Sequence, residues 1–496
     1  MIMAWNFFKN NDQESWPPEE YKPMQEKMQE WAAWYSGSVK RLARVYSERL
    51  SMPYSVQGRF WQKTEKQERV EKIHVPLAGD IASVNADLLF SQPPDVEVRE
   101  AHEDNAEESA VATQDRLNKI ITDNQTFSTL IEAAETSAAL GGSYLKINWD
   151  ASFRDFPVLS VAQADAALPE FKWGYLQKVK FFKVVERDDS NVFRKLETHI
   201  PGAIKNELYK GKESQLGDKV SLDYLDETSD LEEVVETGID DILVRYVPNR
   251  LPNRLWRGSS LGNSDYQGLT GLMDSLDEAY SAWVREMRLA KAEKVVPESW
   301  LELNSETGDF YYDMDKATYT KMGAPPDAMD EPTVIQPDMR IEKYEKTCLD
   351  FIERIVTSAG YSPQSFGLSI EGRAESGTAL RLRERKSLET KQKKERYFKE
   401  PLQDILQLML KVDAKHFGNT EVDPELKPRV NFADAIQDDP SEIAETLAKI
   451  EQARAMSIKA KVRYLHQDWS EEEIEDEVER IKDEQGMNVE TPGVEV

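Results

Sequence analysis

The segment that most constrains this chain is a long amphipathic helix, predicted to run from Asp265 to Ala292. Ser264, with Gln267 three residues later, is the pattern of a capping box, which begins a helix. Eight apolar side chains then recur at helical spacing: Leu269, Leu272, Met273, Leu276, Tyr280, Trp283, Val284 and Met287. At 1.5 Å per residue, this helix is about 42 Å long. Since 496 residues exceed one ordinary hydrophobic core, we expect two or more domains or a strongly elongated shape.

Further helices are predicted on both sides of this segment. Helical spacing or helix-forming composition marks residues 19–50, 78–90 and 105–140 before it, and residues 338–359 and 378–412 after it. Glycines predict two helix ends, at Gly141 and Gly360. Pro401 predicts a kink in the last helix, because a proline inside a helix removes a hydrogen bond and crowds the preceding turn.

Short β-rich runs occupy the region between residues 142 and 248. Residues 143–149, 192–200 and 242–247 are separated by turn signals such as Pro201-Gly202, which predicts antiparallel hairpins. A polar segment with many prolines and glycines, and with short strands, covers residues 295–337. The predicted fold class is therefore α+β and predominantly helical.

The charge balance is strongly acidic. The chain has 92 acidic and 63 basic residues and a formal net charge of −29. Tight DNA binding is disfavoured, because affinity for nucleic acid comes mainly from cations that neutralise phosphates. An acidic wall, in contrast, repels phosphates and lets DNA slide past without sticking. Acidity that serves solubility alone is the other interpretation.

Cysteine usage and hydropathy indicate the compartment. Cys348 is the only cysteine, which excludes an intramolecular disulfide and fits a reducing compartment; we expect it to be a small buried apolar side chain. The apolar N-terminus is too short for a signal-peptide core and lacks its basic start. No apolar run approaches the eighteen or so residues of a membrane span. The chain is expected in the cytosol, with no membrane partner.

The sequence lacks the motifs of common catalytic sites. It contains no G-x-x-x-x-G-K-[ST], no G-x-G-x-x-G after a strand and no H-E-x-x-H. Its histidines share no metal-ligand spacing, and we predict surface or packing roles for His74, His102, His199, His416 and His466. No cofactor is predicted. Asp313 and Asp315 are the carboxylates behind one alternative function, a metal-dependent nuclease, and a capsid or scaffold shell component is another.

Positive charge clusters in one place, the first half of the predicted helix 378–412. Its basic side chains spread around the helix: Arg381, Arg383, Arg385, Lys386, Lys391, Lys393, Lys394 and Arg396. They therefore form no single DNA-reading face. Two interpretations stay open for Arg381, Arg383, Arg385 and Lys386: contacts to acidic neighbouring subunits, or transient contacts to DNA phosphates.

Four strings follow one another in a fixed order: LETHIPG at 196–202, LYKG at 208–211, LG at 216–217 and PNRLWRGSSLGNSDY at 252–266. In this order they resemble the portal, or head-tail connector, proteins of long-tailed bacteriophages. The resemblance covers nearly the whole chain and is greatest to the branch found in phages of actinobacteria. No string carries catalytic residues, so the resemblance lies in their collinear order.

The resemblance implies a multi-region portal fold that assembles into a ring. Its regions in this chain would be a wing (1–263), a first stem helix (264–294), a clip (295–337), a second stem helix (338–360), a tunnel loop (361–377), a long kinked helix that returns to the wing (378–430) and an acidic helical crown (431–496). The DNA-facing side chains of the tunnel loop would be Ser369, Glu371, Arg373 and Glu375.

The resemblance implies that the chain forms a homo-oligomer, expected to be a dodecamer, at one vertex of the virion capsid. Double-stranded DNA would pass through it without sequence preference. The clip would bind the large terminase, which is the packaging ATPase, and then the head-completion adaptor. The ring would nucleate assembly of the major capsid and scaffolding proteins in the host cytoplasm. ATP hydrolysis would belong to the terminase, which agrees with the missing P-loop, so this chain is expected not to be an enzyme.

Overall fold

The structure is a computed structural model, and it describes residues 15–48, 72–98, 106–188, 190–290, 293–295, 302–303, 310–311, 333–335, 339–368, 377–420, 422–432, 447–453, 455–465, 469 and 471–484. The helices are α1 (Lys22–Tyr35), α2 (Val39–Glu48), α3 (Leu77–Phe90), α4 (Ala106–Asp123), α5 (Thr126–Leu140), α6 (Thr270–Leu289), α7 (Ile341–Ala359), α8 (Gly377–His416), α9 (Ile458–Leu465) and α10 (Glu471–Glu484).

The strands are β1 (Asp95–Glu97), β2 (Gly142–Asn148), β3 (Val158–Gln163), β4 (Ala167–Lys172), β5 (Tyr175–Arg187), β6 (Val192–Ile200), β7 (Ala203–Gly211), β8 (Asp218–Val220), β9 (Val234–Glu236), β10 (Val244–Pro248), β11 (Glu293–Val295), β12 (Glu302–Leu303), β13 (Phe310–Tyr311), β14 (Thr333–Ile335) and β15 (Arg429–Asn431). Helix (49%) exceeds strand (20%), which confirms a mixed fold in which helix predominates.

Two of the predicted helical stretches are each divided into two helices. The stretch 19–50 breaks after Tyr35, where Gly37 has a φ of +61°, and the stretch 105–140 breaks at Gln125, with a φ of +52°. A left-handed residue cannot continue a right-handed helix. The helix end predicted at Gly141 is confirmed, since this residue has a φ of +92° and its N–H donates to Ser137 O.

Two antiparallel sheets follow α5. The smaller has the strand order β10-β2-β3, and the larger has the order β4-β5-β6-β7-β8, with β9 pairing the other end of the same β7 edge. Strand β6 covers residues 192–200 as predicted, and it is buried on both faces because other elements pack on each side. The predicted antiparallel hairpins are therefore confirmed.

The start of α6 differs from the prediction. The helix begins at Thr270, and the capping box at Ser264 is wrong. The Ser264 hydroxyl instead donates to Ala138 O (3.3 Å) and accepts from Tyr266 N (3.0 Å). Gly268 then has a φ of +79°, which a right-handed helix does not contain. Residues 264–269 therefore form a turn docked against the end of α5.

Helices α6 and α7 pack as an antiparallel pair. Trp283 of α6 faces Tyr344 of α7 with parallel rings 6.4 Å apart, and Glu286 pairs with Arg340 just before α7. Helix α7 ends at Gly360 as predicted, with a φ of +110°. The chain then leads into α8, which has 40 residues and continues through Pro401.

Two large apolar cores organise these elements. One gathers Trp31 and Trp34 of α1 with Met273 of α6 and Ile355 of α7, and it also buries Cys348, as expected. The other packs the far half of α8 against α3, α4, α5 and β2, through a stripe of Leu402, Ile405 and Met409. Helices α9 and α10 pack on each other through Val462, Ile474 and Val478.

Candidate functional site

The string 252–266 folds into a compact loop held by buried asparagines. Asn253 Nδ2 donates to the carbonyl oxygens of Leu261 (3.0 Å) and Gly262 (3.1 Å), and Asn263 Nδ2 donates to Pro252 O (2.6 Å). Both amides are buried, where a polar group needs hydrogen-bond partners. The loop delivers the next acidic residue, Asp265, into the interior.

Two glycines let this loop approach the end of α5. A Cβ at Gly141 would lie 2.8 Å from Gly262 O, and a Cβ at Gly262 would lie 2.2 Å from Gly141 O. Backbones this close admit only glycine at both positions. Tyr246 completes the contact, because its hydroxyl accepts from Gly262 N (2.8 Å).

Asp265 is the centre of a buried polar cluster that joins three distant parts of the chain. Lys394 Nζ of α8 donates to Asp265 Oδ2 (2.6 Å) and to Asn85 Oδ1 of α3 (2.7 Å). The Tyr361 hydroxyl donates to Asp265 Oδ2 (2.7 Å) and lies 2.9 Å from Lys394 Nζ. All four side chains are buried. We call these four residues the Asp265 cluster.

The second carboxylate oxygen of Asp265 is also satisfied. Asn249 Nδ2 donates to Oδ1 (2.9 Å), and Arg250 Nε lies 3.3 Å from the same atom. Arg250 also donates to Ala359 O (3.1 Å), at the end of α7. Burying an ion pair costs desolvation energy, which is offset only when the remaining donors and acceptors of both groups are hydrogen-bonded. Both oxygens of the Asp265 carboxylate meet this condition.

The charges of the cluster shift one another's ionisation. Burial acts to raise the pKa of Asp265, but the positive charges of Lys394 and Arg250 outweigh it and hold this pKa below its usual range. Burial lowers the pKa of Lys394 to about 8, although Asp265 opposes the shift. At pH 7 the two side chains therefore form a charged pair inside the protein.

Residues on successive turns of α8 hydrogen-bond to the segment that follows α7. Ser387 Oγ accepts from Ser362 N (2.8 Å), and the Thr390 hydroxyl donates to Gly360 O (2.5 Å). Lys394 then reaches the Tyr361 hydroxyl one turn further along. Tyr361 and Ser362, the first residues of the predicted tunnel loop, are thus buried and anchored. A short 3₁₀ helix follows at Pro363–Phe366.

The burial of Lys391 and Lys394 corrects part of the sequence analysis. Both lysines were expected among the basic side chains spread around the surface of the helix. The structure gives them partners within the chain: Lys394 pairs with Asp265, and Lys391 Nζ lies 3.2 Å from Glu395 Oε1. The helical spacing contained the signal for their burial. Lys394 and Lys391 precede the apolar Phe398 by four and seven residues and therefore lie on the same face of the helix.

A second buried ion pair lies near the other end of α8. Arg116 of α4 donates to both carboxylate oxygens of Asp413, at 2.7 and 2.9 Å, and Asp413 is fully buried. The hydrogen bond to Asp413 raises the pKa of Arg116. Asn419 Nδ2 also donates to Asp413 Oδ2 (2.7 Å). This pair ties α4 to α8, and sequence reasoning missed it because the two residues are distant in the chain.

The predicted site residues fall into two groups. Ser369, Glu371, Arg373 and Glu375 lie outside the described residues. Arg381 and Arg383 lie in the first turns of α8, outside the side chains that the structure describes. Arg385 is exposed and pairs with Glu389 one turn along (2.9 Å), while Lys386 is exposed and donates to Thr357 O. Their predicted contacts with DNA or neighbouring subunits stay predictions.

The described histidines have packing roles, as predicted. His74 Nδ1 lies 2.7 Å from Asp277 Oδ2, and His199 Nε2 lies 2.8 Å from Glu197 Oε1. His416 stacks on Trp149. The other two histidines, at positions 102 and 466, lie outside the described residues.

Among the described residues, no three His, Cys, Asp or Glu side chains are grouped so that they could hold a metal ion. Asp313 and Asp315 lie outside those residues. No described helix is both long and apolar enough to span a membrane.

These buried polar groups tie helices from distant parts of the chain together. The chain matches the family model described as phage portal protein, SPP1 Gp6-like, over residues 24–491. It therefore belongs to the phage portal protein family. Among solved structures, it is similar to a chain of the "Virion of native gene transfer agent (GTA) particle", with 11% identity, a TM-score of 0.40, and coverage of 79% of this chain and 89% of that one. No curated protein matches the chain.

Proposed function

We propose that this chain forms the ring-shaped DNA channel at one capsid vertex of a long-tailed phage, through which the genome is packaged and ejected. Membership of the portal family over residues 24–491 supports the proposal. The order of the four strings favours the branch found in phages of actinobacteria. The expected assembly is a dodecamer.

The observation that best supports assembly into a ring is the partly exposed helix pair α6 and α7. Large apolar side chains on and beside these helices are exposed in the single chain: Met287 (42%), Met339 (42%), Ile341 (40%) and Leu349 (41%). Several exposed apolar side chains on one helix pair support an interaction surface there. A closed ring covers such surfaces, since each copy meets a neighbour on either side.

The regions of a portal are assigned accordingly. Helices α6 and α7 are the stem, and residues 295–337 between them are the clip, which docks the large terminase and later the head-completion adaptor. Glu286 supports the junction, because its carboxylate accepts from Arg340 Nη2 (2.6 Å) and from Arg340 N (3.1 Å). These hydrogen bonds lower the pKa of Glu286 to about 2. Residues 361–377 are the tunnel loop, which starts from the buried anchor at Tyr361. Residues 431–496 are the crown.

Charge suits the passage of DNA. Twelve copies of a chain with a net charge of −29 carry roughly 350 negative charges before screening. Such a surface repels phosphates and disfavours retention of the genome in the channel. The terminase supplies ATP hydrolysis, and the portal itself is not an enzyme.

The purified chain is expected to form particles of about 680 kDa, twelve times 56.9 kDa, with a central hole in negative stain. Light scattering and imaging measure the two properties on one sample. Large closed shells would instead support a capsid or scaffold component. A chain that stays monomeric both alone and in infected cells would contradict the ring.

The tunnel loop is tested by replacing Glu371 and Arg373 together with Ala. We expect rings to form normally and DNA-filled heads to fall by roughly tenfold, because charged groups facing a channel alter the passage of a charged polymer on that scale. The matched control replaces Arg187 and Glu213 with Ala, an exposed ion pair on the larger sheet. Unchanged packaging of full-length genomes in the loop variant would rule out the assignment.

A further inference from the structure

The hairpin between β4 and β5 presents aromatic side chains to solvent at its tip. Trp173 is 84% exposed and Tyr175 is 76% exposed. Trp173 and Gly174 form the turn, with φ of +52° and +91°. This turn geometry normally takes Asn-Gly or Asp-Gly, because a side chain in the left-handed region is strained. A large exposed aromatic residue in such a turn indicates a binding function, since it adds strain without adding to the core.

The tip extends beyond the rest of the larger sheet. Pairing between β5 and β6 begins at Val179, so residues 170–178 pair only within their own hairpin. Lys172 Nζ lies 4.8 Å from the centre of the Trp173 ring, a cation–π contact that adds positive charge to the tip. We call Lys172, Trp173 and Tyr175 the hairpin tip.

The opposite edge of the same sheet is acidic. Residues 221–241 contain nine Asp and Glu residues and no Lys or Arg. The exposed carboxylates of this acidic edge belong to Asp223, Asp226, Glu227, Asp230, Glu232, Glu233, Glu236 and Asp240. Lys183 and Lys219 pair with Glu227 (2.7 Å) and Glu233 (3.8 Å), but the segment keeps a large negative surplus. Val234 is 51% exposed among these carboxylates.

The hairpin tip and strand β9 of the acidic edge lie at the same end of the sheet, on its two opposite edges. Strand β4 is the first strand in the order, whereas β9 pairs with β7 on the far side. Residues 222–231 of the acidic edge lie over the sheet face, where Leu222 clusters with Phe193 of β6 and Glu227 pairs with Lys183 of β5. Strand β9 lies about 19 Å from β4, at four strand spacings of about 4.8 Å. The hairpin tip and β9 lie at the same end, because β9 pairs with Ala203–Lys205 next to the β6–β7 turn, beyond which the hairpin tip extends.

We propose that the hairpin tip of one subunit binds the acidic edge, residues 221–241, of the next copy of this chain. The inference rests on the proposed ring. A ring needs two different, complementary surfaces on each subunit, and the opposite charges of these two edges provide them. Exposed Trp and Tyr are typical anchors of such contacts. The exposed Val234 offers Trp173 an apolar surface between the carboxylates. Pro169 in β4 lacks an N–H, so side chains and not strand addition make the contact.

Replacing Trp173 and Tyr175 together with Ala is expected to weaken subunit association by at least about 30-fold, because the loss of a single interface anchor already has about that effect. Mass photometry over a concentration series measures it, and circular dichroism checks that the subunit stays folded. Phe153→Ala is the matched control, because Phe153 is 71% exposed but lies in the loop between β2 and β3 of the smaller sheet. Equal association of both variants would overturn the proposal.

Charge exchange tests the pairing of the two edges. Lys172→Glu alone, and Glu232→Lys with Glu233→Lys, should each reduce ring formation. Their combination should recover it, because the charges are again opposite across the contact. No recovery in the combined variant would contradict the direct pairing.

The decisive experiment places a photo-crosslinking amino acid at position 173 in the full chain and mixes isotope-labelled with unlabelled copies. We expect crosslinked peptides that join position 173 of one copy to residues 221–241 of another. Rings whose crosslinks map elsewhere would overturn this contact and leave the portal function intact. Absence of rings of the unmodified chain, both purified and in infected cells, would contradict the portal function itself.

Discussion

Replacing Lys394 with Met is expected to lower the free energy of unfolding by about 3–5 kcal/mol. The substitution keeps the volume of the side chain but removes the cation that lies 2.6 Å from Asp265 Oδ2. Asp265 is fully buried, so its charge would remain in the interior with one close cation fewer. The loss should appear as a lower urea midpoint with an unchanged slope.

Two further variants distinguish this effect from a general intolerance of α8. Arg385→Met removes an exposed charge from the same helix and should change stability by less than about 0.5 kcal/mol. Lys394→Met combined with Asp265→Asn should be more stable than Lys394→Met alone, because no unpaired charge then remains buried. If the free energy of unfolding of Lys394→Met lay within about 1 kcal/mol of the parent value, roughly the error of such measurements, the ion pair would be refuted.

Replacing Arg116 with Met is expected to cost about 3 kcal/mol of stability. Asp413 would lose two charge-assisted hydrogen bonds and retain the amide of Asn419 (2.7 Å). Lys119→Met is the matched control, since Lys119 lies one turn further on α4, is largely exposed and stands 4.0 Å from Asp155. Equal unfolding midpoints for the two variants would contradict the proposed tie between α4 and α8.

The two ion pairs should act independently. Lys394 and Asp413 lie 19 residues apart on α8, a separation of about 28 Å along the helix. Effects at separated sites without shared partners usually add to within about 0.5 kcal/mol. The double variant Lys394→Met with Arg116→Met should therefore lose the sum of the two single losses, and a much smaller loss would show that the sites are coupled.

Regular elements were predictable where local signals agreed. The ends of α5 and α7 at Gly141 and Gly360 follow from the left-handed conformation that glycine adopts easily. Strand β6 follows from its β-rich composition between turns. The start of α6 was not predictable in the same way. Ser264 has the capping-box pattern, but its hydroxyl donates a hydrogen bond to the carbonyl oxygen of Ala138, which is distant in the chain.

The Asp265 cluster shows the same limit for a site. Position 394 continues the apolar stripe of α8 at helical spacing, so the sequence contained the signal that its side chain faces inward. A lysine there was nevertheless interpreted as part of a surface cluster, because lysines are rarely buried without a partner. Its partner is Asp265, 129 residues earlier in the chain. No local pattern connects the two residues.

By itself, the sequence determined the acidic charge, the α+β class, the long helices that follow residue 264 and the order of strings that resembles portal proteins. Each of these depends on composition or on spacing within one segment. Only the tertiary structure decided which basic residues of α8 are buried and where α6 begins. It also decided that the hairpin tip and strand β9 lie on opposite edges of one sheet. These features depend on contacts between segments far apart in the chain, and such contacts form only when the whole chain packs.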